Sequence, residues 1–69
     1  MEYSARNVFS GKVKSLKKGP VNTEVTVELP GGMEIVATVT TQSAERLALA
    51  EGVETTALIK ATQVILASK

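Results

Sequence analysis

Val21-Asn22-Thr23-Glu24-Val25-Thr26-Val27-Glu28-Leu29-Pro30-Gly31-Gly32-Met33-Glu34-Ile35-Val36-Ala37-Thr38-Val39 decides how this 69-residue chain folds. Val21, Val25, Val27 and Leu29 alternate with Asn22, Glu24, Thr26 and Glu28, and only Thr23 interrupts the apolar row. A period of two places successive side chains on opposite faces of a strand. Pro30-Gly31-Gly32 then supplies a reversal, because proline presets one turn dihedral and glycine tolerates positive φ. Met33, Ile35, Ala37 and Val39 resume the alternation, with Glu34 and Thr38 on the other face. Two strands joined by a tight turn make a hairpin.

Outward from the hairpin, the pattern stays mostly β. Upstream, Val8 to Leu16 reads as a strand, with Phe9, Gly11 and Val13 on one face and Ser10, Lys12 and Lys14 on the other. Leu16 falls out of phase, which predicts a bulge or the end of regular pairing. Lys17-Lys18-Gly19-Pro20 reads as a polar turn. Downstream the period changes: Thr40 to Leu49 fits one short helix, with Thr40 or Thr41 as N-cap and Gly52 as the stop signal. Thr55 to Lys60 and Gln63 to Ala67 read as two further strands, or as one strand bent at Lys60-Ala61-Thr62. Strand, strand, strand, short helix, strand, strand predicts a mostly β fold. The expectation is one domain over residues 1–69, a five-stranded OB-like barrel with a helix between strands 3 and 4.

Composition narrows the chemistry. The chain has no cysteine and no histidine, and reading along it finds no aspartate. Disulfides, thiolate–imidazole catalysis, zinc sites and EF-hand-type calcium loops are thereby excluded, and no residue is expected to ligate a metal cation directly. No nucleophile–base pair is visible, so an enzyme is not expected. No apolar run approaches the ~20 residues that span a bilayer, and no signal-peptide pattern opens the chain, so a cytoplasmic protein without a membrane partner is expected. A formal net charge of +1 argues against a polyanion-binding surface. A barrel of this kind suggests single-stranded nucleic acid, but such domains need aromatic stacking platforms. Tyr3 and Phe9 are the only aromatics, and Phe9 lies on the core face. Nucleic acid is therefore not expected as a partner. The alternative reading is an OB-like nucleic-acid or protein-interaction module without a specific anion ligand.

Three stretches concentrate hydrogen-bond donors with few acceptors: Ser4-Ala5-Arg6-Asn7, Thr40-Thr41-Gln42-Ser43 and Lys60-Ala61. An oxyanion is held by hydroxyls, N–H groups and one or two cations. Arg6 offers a fork of donors and Lys60 a point charge. Thr40 to Ser43 sits where a helix start leaves N–H groups without partners, and a bend would free the N–H of Ala61. The same residues have plainer roles. Thr40 or Thr41 serves as a cap, Ser43 and Lys60 are solvated, and Arg6 pairs with Glu45 or Glu2 at the surface. Lys12, Lys14, Lys17 and Lys18 form a solvated strand face and turn. Finally, Val8, Val36 and Leu58 fall opposite the core rows. On a chain too short to bury much surface, that pattern points to self-assembly.

Ser4-Ala5-Arg6-Asn7, Val21-Asn22, the TxxS of Thr40 to Ser43 and Ile59-Lys60-Ala61-Thr62, in this order and at this length, closely resemble the Mop or molbindin family of small molybdate-binding proteins, the molybdenum-pterin-binding protein domain. The resemblance covers essentially the whole chain. It implies an OB-like barrel, assembly as a hexamer (a trimer of dimers), and molybdate or tungstate as an oxyanion ligand held between subunits. It implies molybdate-binding roles for Ser4 and Arg6 of one subunit and for Thr40, Ser43, Lys60 and Ala61 of a neighbour. Asn7 and Arg46 would support the site, and Gly19, Val21 and Asn22 would line a second kind of site on a symmetry axis. The implied function is intracellular storage or homeostasis of molybdenum.

Overall fold

A computed structural model describes residues 4–68 of the chain. The order is β1 (Asn7–Lys18), β2 (Asn22–Glu28), β3 (Glu34–Thr40), α1 (Thr41–Arg46), β4 (Glu54–Ile59) and a single 3-10 turn over Ala61–Gln63. The four strands form one antiparallel, curled sheet in the order β3-β2-β1-β4. The β2–β3 hairpin keeps the register its alternation demands, from Asn22↔Thr40 to Glu28↔Glu34. Gly31 and Gly32, at φ 93° and 90°, carry the positive dihedrals that the reversal requires.

β1 is the long strand and serves two neighbours. Its first half, Asn7 to Lys12, pairs with β4; its second half, Lys12 to Lys18, pairs with β2. Between Val13↔Val27 and Ser15↔Thr26 the register slips by one residue, which makes Lys14 the bulged position. The slip explains the phase of Leu16. Val13 and Leu16 both belong to the core although three residues separate them. The backbone of Val13 is satisfied from the chain entering β4: it donates to Val53 O (2.9 Å) and accepts from Gly52 N (2.8 Å). Gly11 permits close approach on the same strand, since a Cβ there would collide with the carbonyl oxygen of Glu28.

The core is small. Val13, Val25 and Val27 are its buried centre, with Leu16, Leu29, Val39 and Leu49 packed around them. Thr23, the interruption in the apolar row, is buried as well. Val8, Val36 and Leu58 point outward and are exposed, as their faces predict. Val8 and Leu58 are direct cross-strand partners, so they form one patch.

Two sequence expectations need correction. The helix is shorter than Thr40 to Leu49 and does not end at Gly52. Arg46 is its last residue, and Ala48 takes the left-handed conformation at φ 55°. Leu49 N donates to Ala44 O and Ala48 N to Glu45 O, each at 3.0 Å, which closes the helix with a Schellman motif that lacks its usual glycine. Gly52 instead forms the turn into β4, at φ 85°. The second correction concerns strand number. The sheet has four strands, not five, because Gln63 to Ala67 is not in a strand. β-propensity expresses fit to a neighbouring strand, and this segment has none beside it. Lys60 to Val64 instead closes the 3-10 turn, with Gln63 N on Lys60 O (2.9 Å) and Val64 N on Ala61 O (3.3 Å).

Candidate oxyanion site

The donor-rich stretches fall into two groups at opposite ends of β1. Asn7 opens β1 and pairs with Ile59, the last residue of β4. The Asn7 side chain reinforces the junction, its Nδ2 donating to Ile59 O at 3.2 Å. Arg6 and Lys60 are the residues next beyond that last pair. Ser4, Arg6, Lys60 and Ala61 therefore gather at one rim, with Ser4, Arg6, Lys60 and Ala61 all exposed. Like charges across a strand pair repel. The ion pairs among the described residues are Lys14–Glu34 and Lys18–Glu45, so neither Arg6 nor Lys60 has a carboxylate partner there. The expected Arg6–Glu45 pair does not form, because Glu45 faces Lys18 at 3.1 Å; Glu2 lies outside the described residues.

The second group is built at the far end, where β1 ends, β2 begins and β3 runs into α1. Thr40 is the N-cap: its backbone is extended (φ −66°, ψ 146°), and its Oγ1 accepts from Ser43 N at 3.0 Å. The same hydroxyl donates to Ser43 Oγ at 2.7 Å, which leaves the Ser43 proton to point elsewhere. Asn22 pairs with Thr40, and Val21 O accepts from Thr41 N at 2.8 Å. The Gly19–Asn22 turn is thereby fixed against the helix start. Arg46 lies in the last turn of α1, exposed. α1 has only six residues, so the cap already uses part of the donor supply that a longer helix would offer an anion.

Along the chain, Lys60 and Ala61 follow β4 while Thr40 and Ser43 lie where β3 runs into α1. Within a chain, Lys60 and Ala61 accompany Ser4 and Arg6, while Thr40 and Ser43 sit with Gly19, Val21 and Asn22. The two clefts described in the molecule avoid Ser4, Arg6 and Lys60. One, of about 510 Å³, runs from Ser10 to Lys12 between Glu28 and Glu54. The other, of about 330 Å³, lies under α1 against Leu16 and Thr23. The first carries two carboxylates to one ammonium, which does not suit a dianion.

One functional support escaped the sequence reading. Thr41 is buried, and its Oγ1 donates to Gly19 O at 2.6 Å. With that proton committed, the 2.8 Å contact between Thr23 and Thr41 has Thr23 as donor. A threonine in an apolar row, followed by a pair of threonines at the end of the partner strand, was the available signal. Of the titrating groups, Lys14 is held above the ordinary lysine range by its hydrogen bond to Glu34 and then by the charge of that carboxylate.

Comparison with known proteins places this architecture. The family model for the TOBE domain matches residues 3–66. The chain belongs to the TOBE domain family. Among TOBE-domain relatives, the molybdenum-pterin-binding protein 1 of Clostridium pasteurianum is 46% identical over 66 residues, covering 96% of this chain and 97% of the relative. The molybdenum transport protein ModE of Herbaspirillum seropedicae is 50% identical over 66 residues, but the chain spans only 24% of its length. A solved structure of the cytoplasmic molybdate-binding protein ModG, with molybdate bound, superposes at a TM-score of 0.91 and 45% identity, covering 94% of this chain and 46% of that one. No helix among the described residues of this TOBE domain is long and apolar enough to cross a membrane.

Proposed function

We propose that this TOBE-domain protein binds molybdate, and tungstate by the same chemistry, at sites between copies of itself, and that it stores or buffers molybdenum in the cytoplasm without catalysis. The observation that carries the reading is the placement of Arg6 and Lys60 next to Asn7↔Ile59, the last pair of the β1–β4 ladder, with no carboxylate partner among the described residues. Two cations brought together at a strand end are a cost until an anion joins them. Ser4 and the Ala61 N–H add uncharged donors on the same rim. Relatives bearing molybdenum-pterin-binding and molybdate-binding names supply the identity of the anion.

The donor set favours molybdate over phosphate. Molybdate is an unprotonated dianion at neutral pH and only accepts hydrogen bonds. Monohydrogen phosphate carries a proton for which the set offers only hydroxyl oxygens that already serve as donors, and an unmatched buried polar group costs roughly 1–3 kcal/mol. Sulfate has the same charge and protonation as molybdate, so its rejection rests on size. A complete ring of donors joins Ser4, Arg6, Lys60 and Ala61 of one copy to Ser43 of another, whose proton is free because Thr40 donates to its Oγ, and to Thr40 once its own hydroxyl turns from Ser43 to the anion. Asn7 and Arg46 act behind these groups, and Gly19, Val21 and Asn22 line a second site. A hexamer built as a trimer of dimers provides such junctions repeatedly.

Calorimetric titration with molybdate tests the reading, and absence of both heat and thermal protection would reject it. Arg6→Ala removes a charged donor worth about 1.5–3 kcal/mol, so affinity should fall about 10- to 100-fold while the thermal midpoint without anion is kept. Unchanged affinity in that variant would remove Arg6 from the site.

A further inference from the structure

Asn7 opens β1 and is half-buried, between an exposed Arg6 and an exposed Val8. It pairs with Ile59, the last residue of β4, and its side chain adds one bond beyond the ladder: Nδ2 donates to Ile59 O at 3.2 Å. Only the NH2 end of an amide can donate to a carbonyl, so the partner settles which way the side chain points. The Ile59 carbonyl belongs to the peptide whose N–H is that of Lys60. A peptide unit is planar, so holding its oxygen also holds the direction in which Lys60 leaves the strand. Lys60 runs on in extended conformation, at φ −65° and ψ 136°, and its side chain makes no cap to the 3-10 turn that follows. The N–H groups that open a helical turn have no partner inside it. The Ala61 N–H is the first of them.

One residue thus reaches both cations of the rim. Asn7 is joined to Arg6 by the chain and to Lys60 through the Ile59 carbonyl. Neither cation has a carboxylate partner among the described residues, and like charges at neighbouring strand ends push those ends apart. A neutral amide holds the ends without cancelling their charge. An aspartate of the same shape could not. Its carboxylate offers the Ile59 oxygen no proton, and it would compete with an anion for Arg6 and Lys60. Ile59 is half-buried as well, so the bond is partly shielded from the water that would replace it.

We propose that Asn7 is a positioning residue of the oxyanion site. Its amide clamps the Ile59–Lys60 peptide to the start of β1, which presets Lys60 and the Ala61 N–H relative to Arg6 before any anion arrives. Groups held in place beforehand lose less freedom on binding, so the clamp contributes to affinity without touching the anion. This role rests on the molybdate reading of the rim, to which it adds the group that keeps the rim in register.

Calorimetric titration of the full chain with molybdate tests the role, on variants that keep their β circular dichroism. The parent protein is titrated first; if it binds nothing, the molybdate reading fails and the role of Asn7 fails with it. With the parent binding, Asn7→Ala should weaken affinity by about 2- to 10-fold, the range of one hydrogen bond. Unchanged affinity would overturn the role of Asn7 and leave the molybdate reading intact. A double-mutant cycle separates positioning from mere stapling of the strand end. Because Asn7 acts through the Lys60 peptide, its effect should largely disappear when Lys60→Ala is already present, yet persist in full when Ser43→Ala is present. The same fold-loss in both backgrounds would mean that Asn7 only supports the fold, and would overturn the proposal. If Asn7→Ala does not fold, amide relaxation in the unmodified protein decides. Lys60 and Ala61 should be as ordered without molybdate as the strands are, with order parameters of about 0.85, and should gain little when it is added. Values that start below those of the strands and rise with molybdate would overturn the proposal, since the anion rather than Asn7 would then set the rim.

Discussion

Thr23 and Thr41 show how a single residue can carry the link between core and site. Thr23 occupies a core position on β2, and its hydroxyl is tolerated there because Thr41 accepts it. Thr41 passes the connection to Gly19 O, so one chain of hydrogen bonds ties the core to the turn and helix start that hold Asn22 and Ser43. Thr41→Val keeps the shape and strands both the Thr23 hydroxyl and the Gly19 carbonyl. Leaving a buried polar group unpaired costs about 1–3 kcal/mol, which urea denaturation should read as a lower midpoint at unchanged m-value. The double variant Thr23→Val/Thr41→Val should recover part of that loss, because it leaves no unpaired threonine hydroxyl behind. Strictly additive costs in the two single variants would show that the hydroxyls do not act as a pair.

At the scale of elements, α1 ends by a device that the sequence hides. Ala48 adopts φ 55° at the position where a Schellman motif normally has glycine. An L-residue with a Cβ pays a steric cost in that conformation. Ala48→Gly should therefore stabilise the folded chain by about 0.5–1 kcal/mol, seen as a raised thermal midpoint; a lowered midpoint would contradict the strain. The same element explains what could be read in advance and what could not. The β2–β3 hairpin was legible because its alternation and its Pro-Gly-Gly turn agree, and the N-cap was legible because threonine meets a change of period. The helix end was not, since it rests on the backbone of Ala48, and the visible stop signal, Gly52, serves the next turn. Gln63 to Ala67 had the composition of a strand but lacked a strand beside it, and composition cannot report a neighbour. The candidate site divided in the same way. Its residue types could be chosen from donor chemistry and family likeness, whereas their separation to opposite ends of β1 emerged only from the pairing register.

For the whole molecule, the open core and the separated donor clusters make assembly and binding one equilibrium. Among the described residues, Arg6 and Lys60 have no carboxylate partner, and Ile35, Ala37, Val39, Thr55, Ala57 and Ile59 are only half-buried. A ligand that binds only the assembled form stabilises it by about 2.7 kcal/mol at a hundredfold excess over its Kd. The thermal midpoint should therefore rise with molybdate by about 10–20 °C, at the 4–8 °C per kcal/mol typical of domains this small. No side chain of histidine or cysteine is available to titrate near neutrality. The raised Lys14 contributes only below its own elevated range and loses its pair with Glu34 as pH climbs through it, well above neutral. The molybdate-induced shift should thus be equal at pH 6.5 and pH 7.5, and a strong change between them would mean that a protonating group outside this donor set controls binding. Lys60→Ala separates the two halves of the equilibrium. Removing one of the two cations at that rim relieves repulsion in the anion-free protein, so its midpoint should be equal or higher than that of the parent, while the increment gained from molybdate shrinks. A variant that lost stability without anion yet kept the full increment would place Lys60 in the fold rather than in the site.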